Sequence, residues 1–344
     1  MTEHFLTISD VSQWRRILPA QRSVFGSVEY ARIGQEHTGY EARLFAVTSE
    51  TGSIAFPFFL RPLDGLPFFG ALNRTWSDIL SPEYTGPLAL TDDLVLMQAF
   101  RERLDRMCQE QGIIAEFAHL HPWNWQAHCF HSDDVDIDRE IVYVDVTLSE
   151  EHLWRRSLTY ACRKNLRRAR QEHIREFYRI YTHTMARNKA LSRYYFPCSY
   201  FEAFFEQMPD QAHFVLAEYR DQIVAATLYL HDDVDVYSYL GGADQTFQQI
   251  RPTNAVVYAT INWARQHGKR RLILGGGYRP NDGIFRFKAS FSPLRARFRV
   301  YRHVHLSNEY AQACRAWSAF YGEREIAASY FPAYRFIPPA RINN

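Results

Sequence analysis

The stretch Leu272–Phe291, LILGGGYRPNDGIFRFKASF, is where fold and chemistry are read together. It begins as a β-rich run and ends in Gly275, Gly276 and Gly277, which lack a Cβ, adopt positive φ at little cost and let a backbone approach a ligand closely. Asn281-Asp282-Gly283 then predicts a tight turn. After it, Phe285, Phe287 and Phe291 turn inward while Arg286 and Lys288 alternate outward on an extended segment. Two cations beside a glycine-lined cleft suit a phosphate or pyrophosphate. An ordinary glycine-rich turn with a solvated Arg and Lys is the other reading of the same residues, and the GxGxxG order of a dinucleotide fingerprint is absent.

Upstream of this stretch, apolar periodicity predicts helices over Glu150–Gln171 and Ile174–Asn188, a hairpin of His213–Tyr219 and Gln222–Leu230 around Arg220-Asp221, and a third strand over Val234–Leu240. A helix from Pro252 to His267 follows, with Pro252 at a permitted first-turn position and Gly268 closing it. Strands at Arg271–Leu274 and Ala296–Val304 complete this half. The first half has the same grammar. Strands Arg43–Thr48 and Ser53–Leu60 flank Glu50-Thr51-Gly52, helical spacing runs from Asp92 to Gln111 with Gly112 as its stop, and strands cover Ile113–Leu120 and Ile141–Leu148. Strand, hairpin, helix, strand occurring twice implies a duplicated α/β unit.

Length agrees, because 344 residues exceed what one core usually organises and fit two domains of roughly 150 residues each. A formal charge of only +2 argues against a general nucleic-acid coat and excludes DNA as the expected partner. Five scattered cysteines, with no CxxC pair, read as reduced buried fillers. No signal-peptide pattern and no run of about 18 apolar residues occurs, so neither secretion nor an integral membrane segment is expected.

Within Trp154–Glu172, WRRSLTYACRKNLRRARQE, helical spacing puts Arg163, Arg167 and Arg170 on one face. That face would hold a polyanion with salt-sensitive contacts, or would simply be solvated. His119/His121 and His303/His305 sit two apart on strands, but spacing suggests no third ligand, so no metal is expected. Asp232-Asp233-Val-Asp235 reads as a solvated turn, and no GxSxG nucleophile motif is present.

Arg163–Ala169 (RKNLRRA), YTHTMARNKA (Tyr181–Ala190), Tyr195-Phe196, Tyr200-Phe201 and the LGGG and FRFKASF segments together resemble the Fem-like (FemABX) branch of the GNAT acyltransferase superfamily. The similarity spans most of residues 70–300, and Ser81–Pro87 (SPEYTGP) is similar to the family loop bordering the acceptor groove. The resemblance implies an α/β (α+β) chain of two tandem GNAT-like domains, 1–149 and 150–344, with mixed, mostly antiparallel sheets flanked by helices and the basic helix 154–172 in the second. It implies a cleft in which an acyl or aminoacyl group passes to an amine. Lys288 would neutralise a phosphate or the developing oxyanion, Arg163 and Arg167 would contact phosphates, Tyr84 would border the acceptor, and Gly275–Gly277 with Arg286 would line the substrate. Asp282 and Asp244 are the candidate general bases.

The implied donor is aminoacyl-tRNA or acyl-CoA, with no tightly bound cofactor. The implied acceptor is a phosphate-bearing or lipid-linked precursor of peptidoglycan or another cell-envelope or secondary-metabolite product, met in the cytoplasm or at the inner membrane surface. Two alternatives stand beside this. One is an acyl-CoA-dependent N-acyltransferase of polysaccharide biosynthesis; the other is an inactive scaffold that binds protein or RNA through Trp154–Glu172. Two departures from the pattern matter. Gln249–Ala255 lacks the glycines of the usual CoA-pyrophosphate loop. The basic helix also runs almost directly into Ile174, where relatives insert a strand.

Overall fold

In the computed structural model the chain opens with β1 (Thr2–Thr7), α1 (Val11–Ile17), α2 (Val28–Thr38) and the hairpin of β2 (Glu41–Ser49) and β3 (Gly52–Pro62). Then come β4 (Ser77–Leu80), β5 (Leu88–Leu90), α3 (Leu94–Glu110), β6 (Ile113–Leu120), β7 (Val135–Asp145) and β8 (Leu166–Arg168). Next are α4 (Ile174–Arg187), α5 (Cys198–Gln207), β9 (Ala212–Tyr219), β10 (Gln222–His231), β11 (Asp235–Ala243) and α6 (Pro252–Gln266). β12 (Arg271–Gly275), α7 (Gly283–Ala289), β13 (Arg295–Val304) and α8 (Ser307–Tyr321) finish the order. Residues 1–71, 75–148, 166–168, 171–322 and 330–338 are described, the backbone alone for 166–168.

Local chemistry explains these elements. The β2–β3 turn needs Gly52, whose φ is +139° and whose added Cβ would meet the Leu90 carbonyl at 2.7 Å. Arg220 and Asp221, at φ 50° and 61°, give the β9–β10 turn the two positive-φ centres that match strand twist. Helix α3 starts where the Asp93 carboxylate accepts from the N–H groups of Val95 and Leu96, and it buries Leu96, Met97, Phe100, Leu104 and Met107. Each such side chain contributes about 1.5–3 kcal/mol of burial.

The chain divides into two units: Met1–Pro19, Phe25–Asp138 and Phe298–Asn344 form one, Ala20–Val24 and Arg139–Arg297 the other. The strand order of the first is β1-β2-β3-β4-β6-β13, with β5 on β3; that of the second is β8-β9-β10-β11-β12-β7. In both, the fourth and fifth strands are the parallel pair, β4–β6 and β11–β12, and a helix (α3 or α6) connects them. The neighbours registered around them are antiparallel. The sixth strand of the second unit, β7, precedes that unit's other strands in sequence, whereas that of the first, β13, follows the whole second unit. The first receives β13 from the C-terminal segment, which the 149/150 division assigned to the second half.

Two expectations are corrected. The helix predicted across Glu150–Gln171 contains β8, which pairs antiparallel with β9 through Leu166↔Ala217, Arg167↔Leu216 and Arg168↔Val215. The strand read as missing is therefore present. Leu, Arg and Ala are strong helix formers, and the open edge of β9 overrides that preference. Residues 150–165 and 169–170 of that stretch, Arg163 among them, lie outside the described residues. The segment predicted as extended around Arg286 and Lys288 is instead helix α7. Among the cysteines, Cys108 and Cys129 are buried, whereas Cys198 and Cys314 are only partly so.

Candidate active site

Strands β11 and β12 pair only through Asp235↔Arg271, Val236↔Leu272 and Tyr237↔Ile273. Beyond that point β11 stays with β10 as far as Ala225↔Ala243, while β12 ends against β7 at Gly275↔Val142. From Ser238 and Leu274 onward the facing edges share no ladder, which opens a V lined by backbone N–H and C=O groups. At its closed end the buried Arg271 guanidinium donates from Nε and Nη2 to the two Asp235 oxygens at 2.6 and 2.8 Å, a bidentate pair joining the first residues of both strands. Along the open arm, a β10–β11 register shift inserts Tyr239 as an extra residue, and its hydroxyl lies 2.6 Å from that of Tyr200.

Past the end of β11 lies a cavity of about 540 Å³ lined by Arg187, Gln248, Arg251, Thr253, Asn254 and Phe287. It sits at the N-terminus of α6, where no side chain caps the helix. Unlike α3, this helix start keeps its partial positive charge for a ligand. Arg251 is the turn residue, at φ 51° and ψ 55°, so an arginine takes the left-handed conformation that a glycine would adopt without strain. The absence of glycine from Gln249–Ala255 therefore leaves the turn intact and adds a guanidinium. The Arg187 guanidinium donates to the Ala243 carbonyl at 3.0 Å. Asp244, once a candidate base, accepts from the hydroxyl and N–H of Thr246, which hold its carboxyl below the usual range. That makes it a poor proton acceptor.

Helix α7 supplies Phe287 to the cavity wall and turns Lys288 toward the end of β12, where Nζ donates to the Gly276 carbonyl at 2.7 Å. Burial lowers the Lys288 ammonium to about 8, opposed by nearby Asp282 and assisted by Arg139. At neutral pH an appreciable fraction is thus a neutral amine. Asp282 is the N-cap of α7: one oxygen accepts from Phe285 N–H at 2.7 Å, the other from Tyr278 and Arg279 N–H at 2.7 and 3.1 Å. These bonds, that from Phe285 foremost, hold its carboxyl below the ordinary value, so Asp282 shapes the loop and is unsuited to the role of base. Gly277 is required here, since an added Cβ would meet an Asp282 oxygen at 2.2 Å.

Residues 154–289 match the family model described as the acetyltransferase (GNAT) domain. The chain carries a GNAT acyltransferase domain. Its fold is the tandem GNAT arrangement. The structure of FemX matches with a TM-score of 0.65 at 13% identity, over 91% of this chain and 99% of that one. The C-terminal domain of an Agrobacterium fabrum protein described as a lysylphosphatidylglycerol synthetase matches at 0.55 and 14%, over 91% and 96%. A tandem GNAT protein from the clavulanic acid biosynthesis pathway matches at 0.51 and 10%, over 88% and 99%. No curated protein sequence matches this chain.

Of the residues singled out from sequence, the GNAT domain brings Lys288, Asp282 and Gly275–Gly277 together around the end of β12. Arg286 is exposed on α7, and Arg167 lies in β8, where only the backbone is described. Tyr84 belongs to the first unit, at φ 51°, with its ring against Phe25 and Phe298. His121 Nδ1 accepts from Trp123 and Asn124 N–H, so the HPWNW stretch is a local turn. Arg187 and Arg251 went unnoticed as ligand residues. The available signal was Pro252 at the first turn of a helix, which marks position 251 as the residue that enters it.

Proposed function

We propose that the protein transfers an acyl group from an acyl-CoA to a primary amine, forming an amide, and that the second unit does the chemistry. What carries this reading is the uncapped α6 N-terminus, opening on a cavity with two guanidinium groups, which suits a pyrophosphate. The thioester would enter the V between β11 and β12, where backbone N–H groups can hydrogen-bond its carbonyl oxygen.

Lys288 acts as proton acceptor for the attacking amine. The ammonium of the acceptor gives a proton to Nζ, the free amine nitrogen bonds to the carbonyl carbon, the C–S bond breaks, and the nitrogen's remaining surplus proton passes to the leaving CoA thiolate. This replaces the earlier expectation of Lys288 as a fixed cation, because a buried amine of lowered basicity suits proton transfer better than charge neutralisation. Gly275–Gly277 and Asp282 hold the loop that Lys288 faces.

The acceptor is an amine of a cell-envelope or secondary-metabolite precursor, a class that follows the Fem-like resemblance and is in keeping with the names of the lysylphosphatidylglycerol synthetase domain and of the tandem GNAT protein from clavulanic acid biosynthesis. Tyr84, Arg163 and Arg167 stay assigned to that acceptor and its phosphates on the Fem-like resemblance alone. No helix among the described residues is long and apolar enough to cross a membrane, so a lipid-linked acceptor would be met at the membrane surface.

The test is thermal melting with acetyl-CoA and longer acyl-CoAs, with charged tRNA and with a UDP-linked peptide. A rise with acyl-CoA that Arg251→Gln removes is expected. Stabilisation by charged tRNA with none by any acyl-CoA would overturn the donor assignment and favour an aminoacyl ester.

A further inference from the structure

The first unit holds a second constellation, unrelated to acyl transfer. His303 lies near the end of β13 and His305 directly after that strand, with their ring centroids 4.6 Å apart. Asp105 of α3 faces them, and one ligand atom from each of the three lies within 4.8 Å of the other two. Around them stand Glu116 of β6, Arg101 of α3, His131 and Asp134.

We propose that Asp105, His303 and His305 bind a divalent transition-metal ion of the zinc class. Four observations point there. First, His305 is only 8% exposed, and its Nδ1 and Nε2 are buried without a hydrogen-bond partner. They lie 3.4 Å from Asp105 Oδ1 and 3.2 Å from Glu116 Oε2, but neither contact has hydrogen-bond geometry. The ring is therefore held by two carboxylates at ion-pair distance without an aligned hydrogen bond, an arrangement in which a metal ion can take the place of its proton.

Second, His303 Nδ1 is 2.7 Å from Asp134 Oδ2, which fixes that ring and leaves Nε2 for a metal. Ligating histidines usually have such a carboxylate on the other ring nitrogen. With His305 bound through Nδ1, Glu116 plays the same part at its Nε2. His131 Nε2, 2.9 Å from Asp105 Oδ2, orients the third ligand.

Third, the charges favour a dication. Arg101 pairs with Asp105 at 2.5 Å and Glu116 at 3.0 Å, so the three carboxylates Asp105, Glu116 and Asp134 outweigh its single positive charge by two, an excess that holds a proton on His305 and that a dication would take over in its place. Fourth, the donor set selects the ion. Two imidazoles and one carboxylate suit Zn²⁺, Co²⁺ or Fe²⁺ over Mg²⁺ or Ca²⁺. The side chains of Asp105 and His303 are 20% and 19% exposed, which gives an ion a route in. Bound there, it would tie α3 to β13, the strand the first unit receives from the C-terminal segment.

The test uses the full chain, stripped with a chelator, dialysed against Co²⁺ or Zn²⁺ and analysed for bound metal, with Co²⁺ visible absorption reporting the ligand field. One equivalent of metal, d–d bands of low coordination number and a raised Tm are expected. His303→Gln should weaken binding by about 10–100-fold or more. His128→Gln, an exposed histidine of the same unit, should leave binding unchanged. His305→Gln is the second variant; if it does not fold, the partly exposed His303 decides alone. Failure of the folded wild type to bind one equivalent, or binding untouched by His303→Gln, would overturn the proposal.

Discussion

In the first unit, β4 pairs with β6 along its whole length, from Ser77↔Ile113 to Leu80↔Phe117, and pairing goes on past its end. Ser81 N–H donates to the Phe117 carbonyl at 3.0 Å, and Thr85 bridges Leu120. The start of α3 is closed by Asp93. In the second unit the corresponding strands β11 and β12 part after three residue pairs, and the start of α6 has no side-chain cap. Two sheets of one strand order thus differ where it matters, one sealed and the other open. Each backbone hydrogen bond forgone at the V costs about 0.5–1.5 kcal/mol net, a modest loss that leaves donors and acceptors available to a substrate. In this duplicated fold the two units differ at this place by a ladder left unmade and a helix left uncapped.

The largest expected effect tests what holds the V shut at its base. Each unit buries an Asp on the strand that enters its parallel pair, Asp235 on β11 and Asp78 on β4. Arg271→Met strands Asp235 without its bidentate partner and should cost about 3–5 kcal/mol in denaturant unfolding. Arg335→Met should cost clearly less, because Asp78 keeps Arg61 at 2.6 Å and the Tyr334 hydroxyl at 2.9 Å. Equal losses would break the comparison between the two bases.

Next is Lys288→Met. It should lower kcat by about 10²–10⁴-fold. It should also stabilise the protein at pH 7 by on the order of 1–3 kcal/mol, since the fold no longer has to bury an ammonium. Burial lowers the native group to about 8 from the ordinary 10.5, so between those values the unfolded chain holds the extra proton and wild-type stability rises with pH. The rate should climb as pH passes through about 8 and then level off. A rate that falls above that pH would restore Lys288 as a cation.

The smallest effect sharpens the contrast from the sealed side. Asp93→Ala uncaps α3, lowering Tm slightly and leaving acyl transfer and its KM for donor unchanged. An altered donor KM would mean that the first unit shares in donor binding.

Much of the architecture was legible. The α3 spacing from Leu96 to Met107, the Arg220-Asp221 turn and the Pro252 helix start are local patterns, and each reappears within a residue or two. α7 was missed because seven residues are too few to show a helical period, and alternating Phe, Arg, Phe, Lys imitates a strand. β8 was missed because three residues of Leu and Arg carry no strand signature apart from the edge they join. At the candidate site, Lys288 was singled out from its motif, but its proton affinity was not legible, because that depends on burial and on groups such as Arg139 that are distant in sequence. Asp105 could not be matched to His303 and His305 by spacing, since nearly 200 residues separate α3 from β13.

By itself, the sequence determined most element types, the repeated order of strand, hairpin, helix and strand, and the acyltransferase chemistry class, because these depend on periodicity, turn residues and motifs within a short span. Tertiary structure alone decided which unit stays open, which carboxylates serve as caps and so give up the role of base, and which unit owns β13. Those outcomes depend on which backbone and side-chain groups find partners across the sheet, and pairing between residues remote along the chain leaves no local mark.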